Sequence, residues 1–249
     1  RHKWFRSMSS SQALALSVFG NLNNHGNLEL LEGLKCEDGM PFSVENDLAN
    51  SQVVLEYSIQ SLGEPRPTSI DVMLSGKSSR VFIECKLTEP EVGTCSRPRL
   101  TKDDSNYPEQ WCDGSYRCQM GRTERCPLTE QGIRYWRYIP DYFRWNSNAD
   151  LAPCPLNATY QLVRNVLALT SGSENPAPQQ AGHALLLYDD RNPAFQPGGD
   201  AFTAFEQTSQ NLIRKELLRK CSWRALVAHL RKSGAMGWMT ETIGRKYGF

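Results

Sequence analysis

The stretch from Thr68 to Leu87, TSIDVMLSGKSSRVFIECKL, constrains the fold more than any other part of this sequence. Two apolar runs, near 69 to 74 and 80 to 87, flank the small polar turn Ser75-Gly76-Lys77-Ser78. That pattern predicts a β-hairpin. Each run carries one acid, Asp71 in the first and Glu84 in the second, and the second adds Lys86. Side chains alternate along a strand, so Glu84 and Lys86 share one face, while Ile83, Cys85 and Leu87 share the other. If the hairpin is centred on its turn, opposed residue numbers sum to roughly 153 to 155. Asp71 then lies across from residues 82 to 84 and can meet Glu84 on one face.

Charges inside apolar strands need a reason. Two neighbouring carboxylates repel and call for a cation, and oxygen ligands on adjacent strands suit Mg²⁺ or Mn²⁺. The main-chain carbonyl of Cys85 offers a further ligand. Lys86 would orient or activate water, or offset charge developing on phosphoryl oxygens. The metal would polarise a phosphate and lower the pKa of water. Together these groups fit phosphodiester hydrolysis, with water attacking a Mg-bound phosphate. Glu56, inside VVLEYSI, and Glu89, just past the last strand, are additional acids. The plainer reading is a hairpin with an ionic outer face, where Glu84 and Lys86 form a surface pair worth little.

The rest of the chain reads as α/β. Ser9-Ser10-Ser11-Gln12 can cap a helix near 12 to 22, and QVVLEYSIQ, 52 to 60, is a strand. Further helices are expected over 129 to 138, 156 to 169, 201 to 219 and 223 to 232, with a strand over 182 to 188. The expected architecture is a small mixed sheet flanked by helices, in one domain spanning 1 to 249. An insertion at about 91 to 155 is poor in aliphatic residues over its first part. Gly76-Lys77-Ser78 lacks the upstream glycine and following helix of a phosphate-binding loop. No apolar run approaches the roughly 18 residues of a membrane span, and no signal-peptide pattern appears, so a cytoplasmic setting is expected. The sequence opens on Arg1 rather than Met, as a trimmed or processed chain would. The formal net charge of +1 means that any nucleic-acid surface must be local.

Around Asp71 and Glu84-Cys85-Lys86 the chain resembles the PD-(D/E)xK nuclease superfamily, the restriction-endonuclease-like fold. That pattern begins a second strand with a proline and an acid, then places acid-x-Lys on the third. Here Ile70 replaces the proline, with Pro67 nearby. The wording SSSQALALSVFG, TSIDV, ECKLTEPEVGTC, YWRYIP and YQLVRN is similar to a bacterial group of restriction endonucleases, over most of 8 to 230. The resemblance implies an opening helix, a β-meander bearing the active residues, a crossover helix and a fourth strand. It implies a Mg-dependent endonuclease acting on DNA in restriction or defence, and leaves a homodimer open. A further acid near the metal would be Glu56, then Glu45, and a crossover-helix glutamine would be Gln161. Arg164, one turn on, would meet a phosphate on the same face. The alternatives are a non-catalytic nucleic-acid-binding module with a structural metal, and a metal-stabilised interaction protein.

Of eight cysteines, Cys95, Cys112, Cys118 and Cys126 lie within 32 residues. Cys126 and Cys154 each begin Cys-Pro-Leu ahead of a predicted helix. Four of these five would hold a structural metal that organises the insertion, with zinc favoured over a [4Fe-4S] cluster; a disulfide framework and free or buried thiols are the alternatives. No C-x2-C knuckle is present. Cys36 and Cys221 read as isolated thiols, and Cys85 as core. Arg97, Arg99 and Lys102 follow Cys95, and Arg134, Trp136, Arg137 and Tyr138 follow Cys126. Cations interleaved with aromatics suit a nucleic-acid backbone and exposed bases.

Overall fold

The computed structural model describes residues 9–45, 47–96, 112, 114–117, 126–170 and 181–249. Cys118, Arg97, Arg99 and Lys102 lie outside the described residues. The chain opens with α1 (Ser11–Ala15), which passes through a π-helical turn, Leu16–Gly20, into α2 (Asn21–Asn24). Ser10 caps it, its hydroxyl accepting from the Ala13 N–H at 3.1 Å. The strands β1 (Gln52–Ser58), β2 (Ser69–Ser75) and β3 (Ser79–Cys85) follow. Next come α3 (Pro127–Glu130), α4 (Tyr135–Tyr142) and the long α5 (Leu156–Thr170). β4 (Ala181–Tyr188), α6 (Asp200–Asn211), β5 (Leu218–Ser222), α7 (Trp223–Ser233) and α8 (Gly237–Tyr247) complete the order.

The five strands form one sheet in the order β1-β2-β3-β4-β5. The first three make an antiparallel meander, and β3, β4 and β5 run parallel. A parallel step needs a long crossover, and α5 and α6 lie on the two that occur here. The expected hairpin register holds: Val72 faces Ile83 and Leu74 faces Val81. Its turn closes with the Gly76 N–H donating to the Ser79 carbonyl at 2.9 Å. A side chain at Gly76 would collide with Glu45, whose carboxylate accepts from the Ser78 N–H at 3.0 Å.

Helices cover both faces and build two cores. On one face α4, α5 and α6 pack on Phe82, Ala184 and Leu186. On the other, α1, α7 and α8 pack on Val72, Val81, Ile83, Leu185 and Leu187. β3 and β4 are central and covered on both sides, so their sequences run apolar with little alternation. Each fully buried aliphatic side chain contributes about 1.5–3 kcal/mol of burial. Among the described residues no helix is long and apolar enough to cross a membrane.

Two expectations change and one helix is added. The helix over 129 to 138 is split into α3 and α4 at Gly132, which takes φ +86°. The helix over 201 to 219 ends at Asn211, and Leu218–Ser222 forms a fifth strand. Its pairing with β4, and the burial of Leu218 and Cys221, outweigh the helical pattern. α8 was not anticipated at all.

His183 in β4 is fully buried. Burial first, and then the charge of Arg219, push its pKa down from 6.5 to about 3. The unfolded chain takes up this proton below its ordinary pKa, whereas the folded chain does not. Stability is therefore complete above pH 6.5 and falls between 6.5 and about 3. The slope should approach about 1.4 kcal/mol per pH unit from this group. Denaturant unfolding across that range should show a shallower acid slope in His183→Leu than in the wild type; equal slopes would refute this.

Candidate active site

The carboxylates meet where two strands exchange faces. Strict alternation would put Val53, Leu55 and Tyr57 on one side of the sheet. Instead Val53 and Leu55 pack with the α7 core, whereas Tyr57 packs with the α5 core. β2 does the same: Val72 and Leu74 join one core and Ile70 the other. The exchange falls at Glu56 on β1 and Asp71 on β2. Their flanking pairs are Leu55 with Val72 and Tyr57 with Ile70. Glu56 takes φ +53°, unlike every other non-glycine residue described. Such a conformation costs on the order of 1–3 kcal/mol and clusters at functional sites. The exposed Glu56 carboxylate accepts from Gln12 at 2.6 Å and from Ser69 at 2.8 Å.

One residue beyond the Val72–Ile83 pair, Asp71 comes up beside β3. Its Oδ2 accepts from the Cys85 N–H at 2.7 Å. The Cys85 side chain points into the opposite core with Ile83 and Leu87, as its parity requires. Glu84 and Lys86 face α5 and are only 4% and 8% exposed. The Lys86 ammonium donates to Glu84 Oε1 at 3.0 Å and to Gln161 Oε1 at 2.8 Å. Its backbone is fixed as well. The N–H donates to Leu187, and the carbonyl accepts from Asp189 and from the Trp223 indole.

α5 supplies the rest of the shell. Gln161, Arg164 and Asn165 stand at i, i+3 and i+4, one helix face. Asn165 donates to Glu84 Oε2 at 3.0 Å, and Arg164 does so at 3.4 Å. Arg164 is itself buried and also donates to Asn165 and to the Ser69 carbonyl. Its guanidinium is thus engaged inside the protein, as a partner of Glu84 rather than a surface group turned toward a phosphate. Glu89 joins from below β3, accepting from the Leu87 N–H at 2.6 Å and from Ser11 at 2.5 Å. Gly93, at φ +104°, lies so close to Gln161 that a Cβ there would come within 2.2 Å of its carbonyl oxygen.

The two acids are opposed in their protonation. Burial raises the Glu84 carboxyl, but Lys86, Arg164 and the Asn165 amide outweigh it and hold the group below its ordinary range. Asp71 goes the other way, pushed up to about 8 by burial and then by the charge of Glu84. Burial pulls Lys86 down, but Glu84 more than offsets this and keeps the ammonium above its ordinary value. The charge of Lys86 bears on the Asp71 carboxyl too, but does not offset burial and Glu84. Two carboxylates on adjacent strands form an all-oxygen donor set of the kind Mg²⁺ accepts, with water and phosphate completing its shell. Asp71 and Glu84 would hold it, since Glu84 Oε1 receives only Lys86 and keeps a lone pair. Among the described residues, no group of three or more His, Cys, Asp or Glu is gathered as a metal site.

The remaining candidates lie elsewhere. Arg134 and Arg137 are exposed and line a cavity of about 360 Å³ with Tyr116 and Trp136, whose rings stack at 3.6 Å. Of the cysteines expected to hold a structural metal, Cys95, Cys112, Cys126 and Cys154 lie among the described residues, where they are not gathered as a metal site. Asn165 and Gly93 had no place in the sequence reading. Asn165 had a signal, its i+4 spacing from Gln161, whereas the contact at Gly93 depends on tertiary approach alone.

A central mixed sheet, helices on both faces and an antiparallel meander bearing the acids define a restriction-endonuclease-like core. The chain belongs to the REase-ARP family, described as Restriction Endonuclease associating with ARP, whose model matches residues 1–248. Family and fold together support a nuclease-like function. No curated protein and no solved structure matches the chain.

The buried ion cluster should behave as a unit. Lys86→Met alone leaves Glu84 charged and underpaired and should cost about 3 kcal/mol. Glu84→Gln with Lys86→Met should cost less than the sum of the two single changes in denaturant unfolding. Simple additivity would show that the pair is not coupled.

Proposed function

We propose that the protein is a metal-dependent endodeoxyribonuclease of restriction or defence, working on DNA inside the cell. The whole of 1–249 would act as one nuclease domain, with the insertion at about 91–155 giving shape rather than chemistry. The observation that carries this reading is the meeting of Asp71, Glu84, Lys86 and Gln161 at the point where β1 and β2 change faces. When bound between Asp71 and Glu84, Mg²⁺ or Mn²⁺ would supply charge neutralisation and polarisation of the scissile phosphate.

The chain's own groups divide the remaining work. Lys86 already donates two of its N–H bonds, to Glu84 and Gln161, and keeps a third for water or a phosphoryl oxygen. It acts as a positioned donor as charge grows on phosphorus-bound oxygens. Gln161 holds the ammonium in place, and Arg164 and Asn165 keep Glu84 ionised and oriented. Glu56 stands beside Asp71 as a further acid, since its charge bears on the Asp71 carboxyl. In hydrolysis the water oxygen bonds to phosphorus, the bond to the leaving sugar oxygen breaks, and the water proton passes to solvent or a nearby carboxylate.

Plasmid cleavage with Mg²⁺, Mn²⁺ or EDTA tests this. Activity should require the divalent cation and should drop at least ~100-fold in Asp71→Ala and in Lys86→Ala. Wild-type activity in both variants would sink the site. Arg134 and Arg137 are read as phosphate contacts beside the cavity of Tyr116 and Trp136. Replacing both with alanine should lower DNA affinity and reduce the salt slope by about 2. An unchanged slope would remove them from the interface.

A further inference from the structure

The turn between α3 and α4 walls a cavity that shares no residue with the Asp71–Glu84 cluster. α3 ends in a Schellman turn. The Ile133 N–H donates to the Leu128 carbonyl at 3.0 Å, and the Gly132 N–H donates to that of Thr129 at 2.9 Å. Gly132 supplies the left-handed conformation that such a turn requires. The Arg134 N–H then donates to the Leu62 carbonyl at 2.9 Å, which fixes where α4 begins. Tyr116 comes from a separate segment. It exchanges backbone bonds with Leu151 at 2.8 and 3.0 Å, and its hydroxyl donates to the Ser147 carbonyl at 2.9 Å. These segments enclose about 360 Å³, a volume within the roughly 300–1,000 Å³ of small-molecule sites.

The lining has two unlike parts. Tyr116 and Trp136 stack at 3.6 Å with 23° between their planes, and with Ile133 they give a buried apolar wall. Arg134 and Arg137 are exposed and stand three residues apart at the start of α4. The helix dipole favours anions at that end, and like charges at this spacing repel. Among the described residues neither guanidinium is held in an ion pair. A bound anion would remove both costs. The Trp136 indole N–H is buried as well, and no acceptor meets it among the described residues. Buried donors ordinarily have a partner, so this one calls for an acceptor on a ligand. Inorganic phosphate would answer the arginines but leave the indole and the aromatic wall unused. An apolar molecule would do the reverse. A nucleotide has both parts: a planar base with acceptors on its edge, and a phosphate that fits guanidinium forks.

We propose that this cavity binds a single nucleotide, with its base against Ile133 and Trp136 and its phosphate on Arg134 and Arg137. The Trp136 N–H donates to an acceptor of the base, and the exposed Asn148 amide pairs with the base edge at the mouth. The phosphate contacts are those of the proposed DNA interface, so the site rests on that reading; it does not rest on hydrolysis at Asp71 and Glu84. The nucleotide comes either from a DNA strand, as a base turned out of its stack, or from free nucleoside monophosphate, and the recognition chemistry is the same.

Calorimetric titration of the full chain with dAMP and with deoxyribose phosphate, both in EDTA, tests the pocket. dAMP should bind at least ~5-fold more tightly, because only it carries a base to stack. Asn148→Trp fills the mouth from an exposed position and should abolish that preference while leaving deoxyribose phosphate binding as it was. Trp136→Phe keeps a ring, removes the N–H, and should weaken dAMP alone. Equal binding of the two ligands by the wild type, or binding of neither, would overturn the pocket. So would a dAMP preference retained in Asn148→Trp. A duplex carrying one fluorescent aminopurine, also in EDTA, separates the sources. Its emission should rise with the wild type and not with Asn148→Trp where the strand supplies the base. A dAMP preference without that rise would assign the pocket to free nucleotide. A wild type that prefers dAMP yet leaves DNA uncut with Mg²⁺ would count against the nuclease reading alone.

Discussion

Glu84 is a carboxylate buried with its charge, and the architecture around it keeps that charge in place. Lys86 takes one oxygen, and Asn165 and Arg164 take the other. An isolated carboxylate at this depth would cost several kcal/mol and would protonate. Satisfying it needs donors from the same strand and from a helix laid across the sheet. That requirement explains why α5 carries polar residues on its inner face, between Leu162, Val163, Val166 and Leu167. It also explains why Lys86 is held at both its backbone and its side chain.

The second constraint is the exchange of faces at Glu56 and Asp71. A regular β1-β2 ladder would send Tyr57 and Ile70 into the α7 core. The left-handed turn of the backbone at Glu56 reverses the alternation and opens the ladder beside Asp71. Local stability is given up there, and an acid with a raised protonation point is placed against the end of β3. The large apolar area of the two cores offsets such a local cost.

α5 is where the chemistry and the insertion come together. Its first turn takes the backbone bonds of Cys95 and Cys154, and Gln161 begins the polar face directed at Glu84 and Lys86 one turn later. A disturbance at the root of the insertion reaches the lysine through Gly93 and Gln161, a short path of packed atoms rather than a long relay.

Local pattern determined much of this in advance. The hairpin, its register, the inward turn of Cys85 and the grouping of Asp71 with Glu84 and Lys86 all follow from period-2 alternation about a short turn. The faces of α1 and α5 follow from helical spacing in the same way. The stretch Leu218-Arg219-Lys220-Cys221-Ser222 could not be read so, because five residues carry too little pattern to resist a neighbouring helical signal. Only pairing with β4 makes them a strand. The face exchange, the capture of Arg164 by Glu84 and the approach of Gly93 to Gln161 were also decided in three dimensions. Each depends on atoms brought together from distant parts of the chain, for which neither strand alternation nor helix periodicity leaves a trace.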